Sequence, residues 1–407
     1  MSEIEVEISP DEVGMDGARL DRIEGYLQRH VDAGRLPGFL VAVTRRGQVA
    51  YLAAGGRRHI EDALPVETDT LFRIYSMTKP ITSVAAMMLY EEGAFELNDP
   101  IARFIPAFAD TRVYVAGSDL KQITEPVTEP IRIRHLLTHT SGLTYGFHRT
   151  HPVDALYRAA GHELTTPQGM DSAALCDQWA SFPLLFQPGS EFNYSVSTDV
   201  IGRLVEVLSG QSLGEFFAEL ILGPLGMVDT GFGLAEPTDR LARLYLDTPD
   251  GLVPGDQLGA VAPRPAFESG GGGLLSTAYD YHRFTQMLLG GGELDGVRLL
   301  GPRTVALMRR NHIPGGVDLE TFGRPLYAET PLRGVGFGLG FSVVLDPVAY
   351  GTLASVGDYG WGGAASTAFW VDPAEELTCL FFTQLMPSSA LQVRTYLRQM
   401  VNSSLLD

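Results

Sequence analysis

Phe72-Arg73-Ile74-Tyr75-Ser76-Met77-Thr78-Lys79-Pro80, followed by an apolar run from Ile81, is the stretch on which the reading of this chain turns. Residues three apart on a helix share a face, so Ser76 and Lys79 place a hydroxyl and an amine within reach of each other. Pro80 locates the helix start. Proline has no N–H to donate, which is harmless only in a first turn, so the helix must begin close to Ser76. Its N-terminus then lends positive partial charge to an alkoxide or oxyanion at Ser76. Of 30 basic residues, 28 are arginine; Lys79 and Lys121 are the two lysines. Lysine differs from arginine chiefly in being able to lose its proton, which a general base must do. An amine withdrawn from water gives up its proton more readily, and can then take that of a serine. The plainer alternative is an ordinary helix start with an exposed lysine, and Ser-x-x-Lys is common enough by chance to need support from elsewhere.

Two later segments supply it. Gln187-Pro188-Gly189-Ser190-Glu191-Phe192-Asn193-Tyr194-Ser195 precedes a helical period that starts at Thr198. A tyrosine at the end of such a turn can present its phenol to a nucleophile and relay protons when a cation stands nearby, and Lys79 is the candidate cation. Tyr359-Gly360-Trp361-Gly362-Gly363-Ala364-Ala365-Ser366 leads into a strand at Thr367. Glycines at a strand edge let a substrate approach the backbone, whose N–H groups can receive an oxyanion. Read singly, the tyrosine is a half-buried side chain with a satisfied hydroxyl and the glycines are a plain turn. Tyr145, Phe147, His148 and His151 sit in a long connection, where binding residues gather, and make a candidate substrate wall.

Outward from these segments, apolar residues Leu20, Ile23, Leu27 and Val31 mark a helix over 17–33. Phe39–Thr44 and Val49–Ala54 flank Arg45-Arg46-Gly47-Gln48 and predict a β-hairpin. At the other end, 337–345, 366–371 and 377–384 are strand-like, and 388–400 closes as a helix. Between them, 81–92, 133–137, 198–208, 213–222 and 279–289 are helical in period. The expected fold is α/β plus all-α: one lobe made from both chain ends, residues 1–70 and 290–407, and an inserted, mainly helical lobe over 71–289, with the site in the cleft between. Interweaving of the two explains why no linker is visible.

The chain has 407 residues, 45% hydrophobic and 19% charged, and so can bury a large core. Acidic residues outnumber basic ones 49 to 30, for a net charge of −19, which repels nucleic acid and anionic lipid. The N-terminus MSEIEVEISPDEVG has neither a positive region nor an apolar core, and no run of 18 apolar residues occurs later, so a cytoplasmic protein without a membrane partner is expected. A homo-oligomer is left open. Cys176 and Cys379 lie in apolar surroundings and read as two buried thiols. Gly210-Gln211-Ser212-Leu213-Gly214 matches a nucleophile elbow, but a helix precedes it, and Ser212 with Glu215 fits a capping box. His135 and His139 have zincin spacing, with Leu136 where the catalytic glutamate belongs. Gly270-Gly271-Gly272-Gly273 lacks the lysine of a phosphate loop and reads as a flexible turn lining the cleft.

Ser-x-x-Lys, a tyrosine after Pro-Gly and a Gly-rich strand entry, in this order, resemble the three motifs of the serine β-lactamase and penicillin-binding-protein superfamily, in particular class C β-lactamases and family VIII carboxylesterases. His135–Leu143 and Gly223-Pro224-Leu225-Gly226-Met227 agree, and the resemblance spans about residues 15–385. It implies a β-lactamase-like two-lobed fold with an antiparallel sheet flanked by helices. It also implies Ser76 as nucleophile, Lys79 and Tyr194 as its proton-handling partners, and the N–H groups of Ser76 and Ala364 as oxyanion hole. Two departures bear on substrate. β-Lactamases have Tyr-x-Asn, whereas Val196 stands here; and Trp361 replaces the lysine of Lys-Thr-Gly, so a substrate carboxylate loses its anchor. Trp361, Gly362, Gly363, Tyr145 and Phe147 are then the expected substrate-binding residues, suited to an uncharged small-molecule ester. Hydrolysis of small carboxylic esters through an acyl-enzyme on Ser76 is the expected activity, with no metal and no organic cofactor. The alternatives are a β-lactamase or D-amino-acid peptidase, an acyltransferase using the same acyl-enzyme, and a penicillin sensor that acylates once.

Overall fold

Arg46 and Gly47 have φ of 52° and 81°, the left-handed pair that a two-residue turn between strands demands. They join strand Gly38–Arg45 to strand Gln48–His59, with Arg45 opposite Gln48, as the sequence predicts. In the computed structural model, which describes residues 3–255, 258, 261–324 and 332–407, this hairpin docks on strand Leu377–Phe382, with Leu40 opposite Phe382 and Thr44 opposite Thr378. The two chain ends are thereby stitched into one eight-stranded antiparallel sheet. Its order is Val335–Phe337, Ser342–Val344, Tyr359–Gly362, Ala368–Asp372, Leu377–Phe382, Gly38–Arg45, Gln48–His59 and Leu64–Pro65.

Alternation along the central strands divides their side chains between two cores. Phe39, Val41, Val43, Cys379 and Phe381 pack under helices Gly17–Asp32 and Val393–Asn402. Leu40, Ala42, Leu380 and Phe382 face Ile81, Val84, Tyr281 and Phe284 on helices Thr78–Glu91 and Ala278–Leu289. Because both faces are covered, these strands are written as continuous apolar runs rather than alternating ones. The helix Thr78–Glu91 is buried on nearly every side, which fits its central position, and it packs against Ser197–Ser209.

Several expectations need correction. Residues 337–345 do not form one strand. They make two short antiparallel strands, Val335–Phe337 and Ser342–Val344, reversed near Gly340, which has φ of 103° and where a Cβ would lie 2.2 Å from Ser83 Oγ, so there is no room for a side chain. Helix 213–222 widens after Phe217 into a looser turn over Ala218–Leu222. The last helix starts at Val393 rather than 388. Helices Pro152–Ala159 and Ser172–Ser181 were not expected, and Tyr359–Gly362 is a strand in its own right. Cys176 and Cys379 are free and buried. No helix among the described residues is long and apolar enough to cross a membrane.

Candidate active site

Ser76 lies in the single 3-10 turn Tyr75–Met77, which runs directly into helix Thr78–Glu91. The residue before it, Tyr75, has φ of 43°, an unfavourable conformation for a side chain of that size that persists only where surroundings over-determine it. They do so here. Ile74 N–H donates to the Leu274 carbonyl (3.1 Å) and Met77 N–H to the Ile74 carbonyl (3.0 Å). Tyr281 Oη donates to the Met77 carbonyl (2.8 Å), and the Gln384 amide brackets Arg73 through both its N–H and its carbonyl.

Lys79 is 1% exposed, which disposes of the exposed-lysine alternative. Its Nζ lies 3.2 Å from Ser76 Oγ, 3.1 Å from Tyr145 Oη and 2.7 Å from the Gly271 carbonyl. It also stands 4.5 Å from the centre of the Tyr194 ring, in cation–π range. The serine, the lysine and the expected tyrosine therefore meet. The tyrosine meets Lys79 with its ring face, while its hydroxyl accepts from Trp361 Nε1 at 3.1 Å. The phenol that bonds the amine is Tyr145, assigned from sequence only to the substrate wall. Burial pushes the Tyr145 phenol well above its ordinary range, and Asp199 and Tyr194 act in the same direction, so it stays neutral beside the amine.

The segment His135–Leu143 holds Tyr194 in place. Asn193 N–H donates to the His139 carbonyl (2.9 Å) and Ser195 N–H to His139 Nδ1 (3.3 Å). His148 Nε2 bonds the Tyr194 carbonyl at 2.7 Å. Burial holds the imidazoles of His139 and His148 below their ordinary range, so they are uncharged supports near neutral pH. His135 Nδ1 accepts from Arg132 N–H at a helix start, and His151 caps helix Pro152–Ala159. Ser212 and Glu215 form the expected capping box, so the elbow-like motif is a helix cap.

The Gly-rich third motif is the end of strand Tyr359–Gly362 and the turn into Ala368–Asp372, rather than a simple strand entry. Gly363 N–H donates to the Thr367 carbonyl (2.8 Å). A Cβ on Gly363 would lie 2.5 Å from the Ile74 carbonyl and 2.3 Å from Thr367 Oγ1, so glycine there lets the turn press against the backbone just before Ser76. Ala364 N–H has no acceptor among the described residues. A cavity of about 530 Å³ opens beside Ser76 and is lined by Ala364, Trp361, Gly362, Gly363, Tyr145, Phe147 and Tyr194. Phe147 stacks on Tyr145 at 4.8 Å, and Trp179, Phe267 and Leu332 continue the apolar wall.

Sequence reasoning missed two members of the site. The tetraglycine segment is a turn lining the cavity, as expected, but hydrogen bonds pin it in a way the sequence did not show. Thr82 Oγ1 donates to the Gly270 carbonyl (2.7 Å), Leu274 N–H donates to Thr78 Oγ1 (3.1 Å), and Gly271 N–H donates to Asp199 (2.9 Å). The result aims the Gly271 carbonyl at Lys79. Asp199 itself, in the first turn of helix Ser197–Ser209, was not singled out. The signal for the glycines was their lack of side chains, which closeness to another element requires; nothing local marked Asp199.

The chain is similar to known proteins along most of its length. The family described as Beta-lactamase matches residues 23–402. Protein Rv1367c of Mycobacterium tuberculosis is 40% identical over 378 residues, covering 90% of each chain. Esterase EstB of Burkholderia gladioli is 33% identical over 400 residues, covering 92% of this chain and 93% of that one. Among solved structures, EstCE1, described as a hydrolase with promiscuous acyltransferase activity, superposes with a TM-score of 0.79 at 29% identity, covering 93% of this chain and 98% of that one.

Proposed function

Because this chain belongs to the beta-lactamase family, we propose that it is a serine esterase that cleaves small, uncharged carboxylic esters through an acyl-enzyme on Ser76. The observation that carries the reading is the buried Lys79 amine 3.2 Å from Ser76 Oγ. The neutral amine takes the Ser76 proton as Oγ attacks the ester carbonyl. The oxyanion is received by the N–H groups of Ser76 and Ala364 at the positive end of the helix Thr78–Glu91. As the tetrahedral intermediate collapses, the C–O bond to the alcohol breaks, and the lysine ammonium returns its proton to the leaving oxygen, with Tyr194 and Tyr145 steering that transfer. Water enters and gives a proton to the same amine as its oxygen attacks the acyl carbonyl; the bond from that carbon to Ser76 Oγ then breaks, Oγ recovers the proton from the ammonium, and the acid leaves. The site lies between a helical lobe over 71–289 and an α/β lobe from 1–70 and 290–407.

Ester rather than lactam is favoured by what flanks the nucleophile. Trp361 stands where a substrate carboxylate would need a cation, and its indole N–H is taken up by Tyr194. Val196, buried on the cavity wall, offers no amide. The 33% identity to a protein named an esterase supports the same choice. A second reading, transfer of the acyl group to an alcohol, is favoured by the likeness to EstCE1; in it the alcohol replaces water in the second step.

The test is intact-mass analysis after treatment with a p-nitrophenyl phosphonate, with the adduct mapped by peptide sequencing. A single adduct on Ser76, and turnover of p-nitrophenyl butyrate far above that of nitrocefin, is the expected outcome. Labelling elsewhere, or faster nitrocefin turnover, rejects the assignment. Product analysis with added alcohol separates hydrolysis from transfer.

A further inference from the structure

The amine of Lys79 has three neighbours, and they are not equivalent. Ser76 Oγ and Tyr145 Oη can each donate or accept, whereas the Gly271 carbonyl can only accept. One Lys79 N–H is therefore always committed to Gly271, and that bond sets where the remaining tetrahedral positions of the nitrogen point, including the lone pair that must face Ser76. Whatever holds Gly271 holds the base.

Asp199 holds Gly271. Its Oδ1 accepts both Gly271 N–H (2.9 Å) and Ser269 Oγ–H (2.6 Å). The carboxylate is 5% exposed and sits in the first turn of Ser197–Ser209, where the helix favours an anion. The approach is close enough that a Cβ on Gly271 would lie 2.4 Å from Asp199 Oδ2. We infer that Asp199 is a positioning residue for the general base: its carboxylate clamps the 269–271 backbone, so that the Gly271 carbonyl orients Lys79 toward Ser76, and places an anion behind the amine. The inference rests on the serine–lysine reading above.

The groups that face Asp199 are Lys79 from the helix Thr78–Glu91, Tyr145 and His162 from the long connection, and Cys176 from Ser172–Ser181. Burial keeps Tyr145, His162 and Cys176 uncharged near neutral pH. Burial holds the Asp199 carboxyl above its ordinary range, with Lys79, Ser269 and Gly271 acting in the opposite sense. An anion stabilises a neighbouring ammonium, so its removal lets the free amine form at lower pH.

Two substitutions separate clamp from charge. Asp199→Asn keeps an oxygen at Oδ1 for both hydrogen bonds and loses only the charge; Asp199→Ala loses both. The readout is the rate of phosphonate labelling at Ser76 across pH, with kcat and KM for p-nitrophenyl butyrate. Asp199→Ala is expected to label about 100-fold more slowly with KM within about twofold, the scale of a misplaced general base. Asp199→Asn is expected to recover most of that loss, with the onset of labelling moved to lower pH. Wild-type labelling in Asp199→Ala overturns the inference, and so does an Asp199→Asn variant as slow as Asp199→Ala with an unmoved onset. If Asp199→Ala fails to fold, Ser269→Ala, which removes one of the two clamp bonds, decides in its place: labelling slowed about threefold supports the clamp, and an unchanged rate rejects it. Failure of the wild-type protein to label at Ser76 would instead reject the serine–lysine reading itself.

Discussion

At the scale of single residues, the site depends on an amine buried away from water. A buried ammonium is costly unless fully hydrogen-bonded, and Lys79 is satisfied by three oxygens. A neutral amine in that place can exchange one donated bond for an accepted one from Ser76. Arginine cannot make that exchange. Lys79→Arg is expected to lower kcat by about 1,000-fold or more, and Lys79→Ala equally, since a guanidinium keeps its proton; hydrolysis of p-nitrophenyl butyrate by variants shown folded by circular dichroism measures it. The two tyrosines should divide differently. Tyr145→Phe removes a hydrogen bond to the amine and leaves the stack on Phe147, for an expected loss in kcat of about tenfold. Tyr194→Phe keeps the ring face over Lys79 but removes the acceptor of Trp361 Nε1, and is expected to cost about 100-fold if its hydroxyl relays the proton. A Tyr145→Phe variant that loses more than Tyr194→Phe would reverse these roles.

At the scale of elements, the decisive contact is between the turn after Tyr359–Gly362 and the turn that carries Ser76. Gly363→Ala places a methyl group 2.5 Å from the Ile74 carbonyl and 2.3 Å from Thr367 Oγ1, so the turn must retreat and carry Ala364 N–H with it. The expected result is a kcat lowered by about 100-fold, the scale of a displaced oxyanion donor, with a lower melting temperature and KM little changed; assays beside thermal unfolding check both. The Ser-x-x-Lys helix, the hairpin around Gly47 and the capping box at Ser212 were legible because each is written in adjacent residues. The long middle helices were legible from their period. What stayed hidden was set by distant partners. Tyr359–Gly362 is a strand because Ser342–Val344 and Ala368–Asp372 pair with it, against the low strand propensity of its glycines. Tyr145 reached Lys79 through a 66-residue separation, and Asp199 reached Gly271 across 72. No local pattern encodes such pairs.

At the scale of the whole molecule, buried histidines make stability depend on pH. His282, on Ala278–Leu289, bonds Thr44 Oγ1 of the central strand through Nδ1 at 3.2 Å. Burial, reinforced by Arg283, lowers its imidazole from 6.5 to about 4, and burial lowers His135 to about 4 as well. Unfolded, each takes a proton near pH 6.5; folded, each resists until about pH 4. The stability they contribute is therefore complete above pH 6.5, drains away as the solution is acidified through that window, and is gone below pH 4. Asp280 runs the other way. Burial raises its carboxyl from 3.8 to about 6, so the folded chain holds a proton there that the unfolded chain has lost, and acidification through that range favours folding. Opposed slopes make the wild-type curve alone uninformative, and a difference isolates one group. His282→Gln, a neutral side chain that can keep the bond to Thr44, removes the histidine's titration together with some of its ring packing. The melting temperature of the wild type should exceed that of His282→Gln above pH 7, and the gap should shrink or change sign by pH 4.5. A gap that stays constant across that range would mean that the His282 imidazole titrates alike in the folded and unfolded chains, and that helix and sheet do not seal it from water.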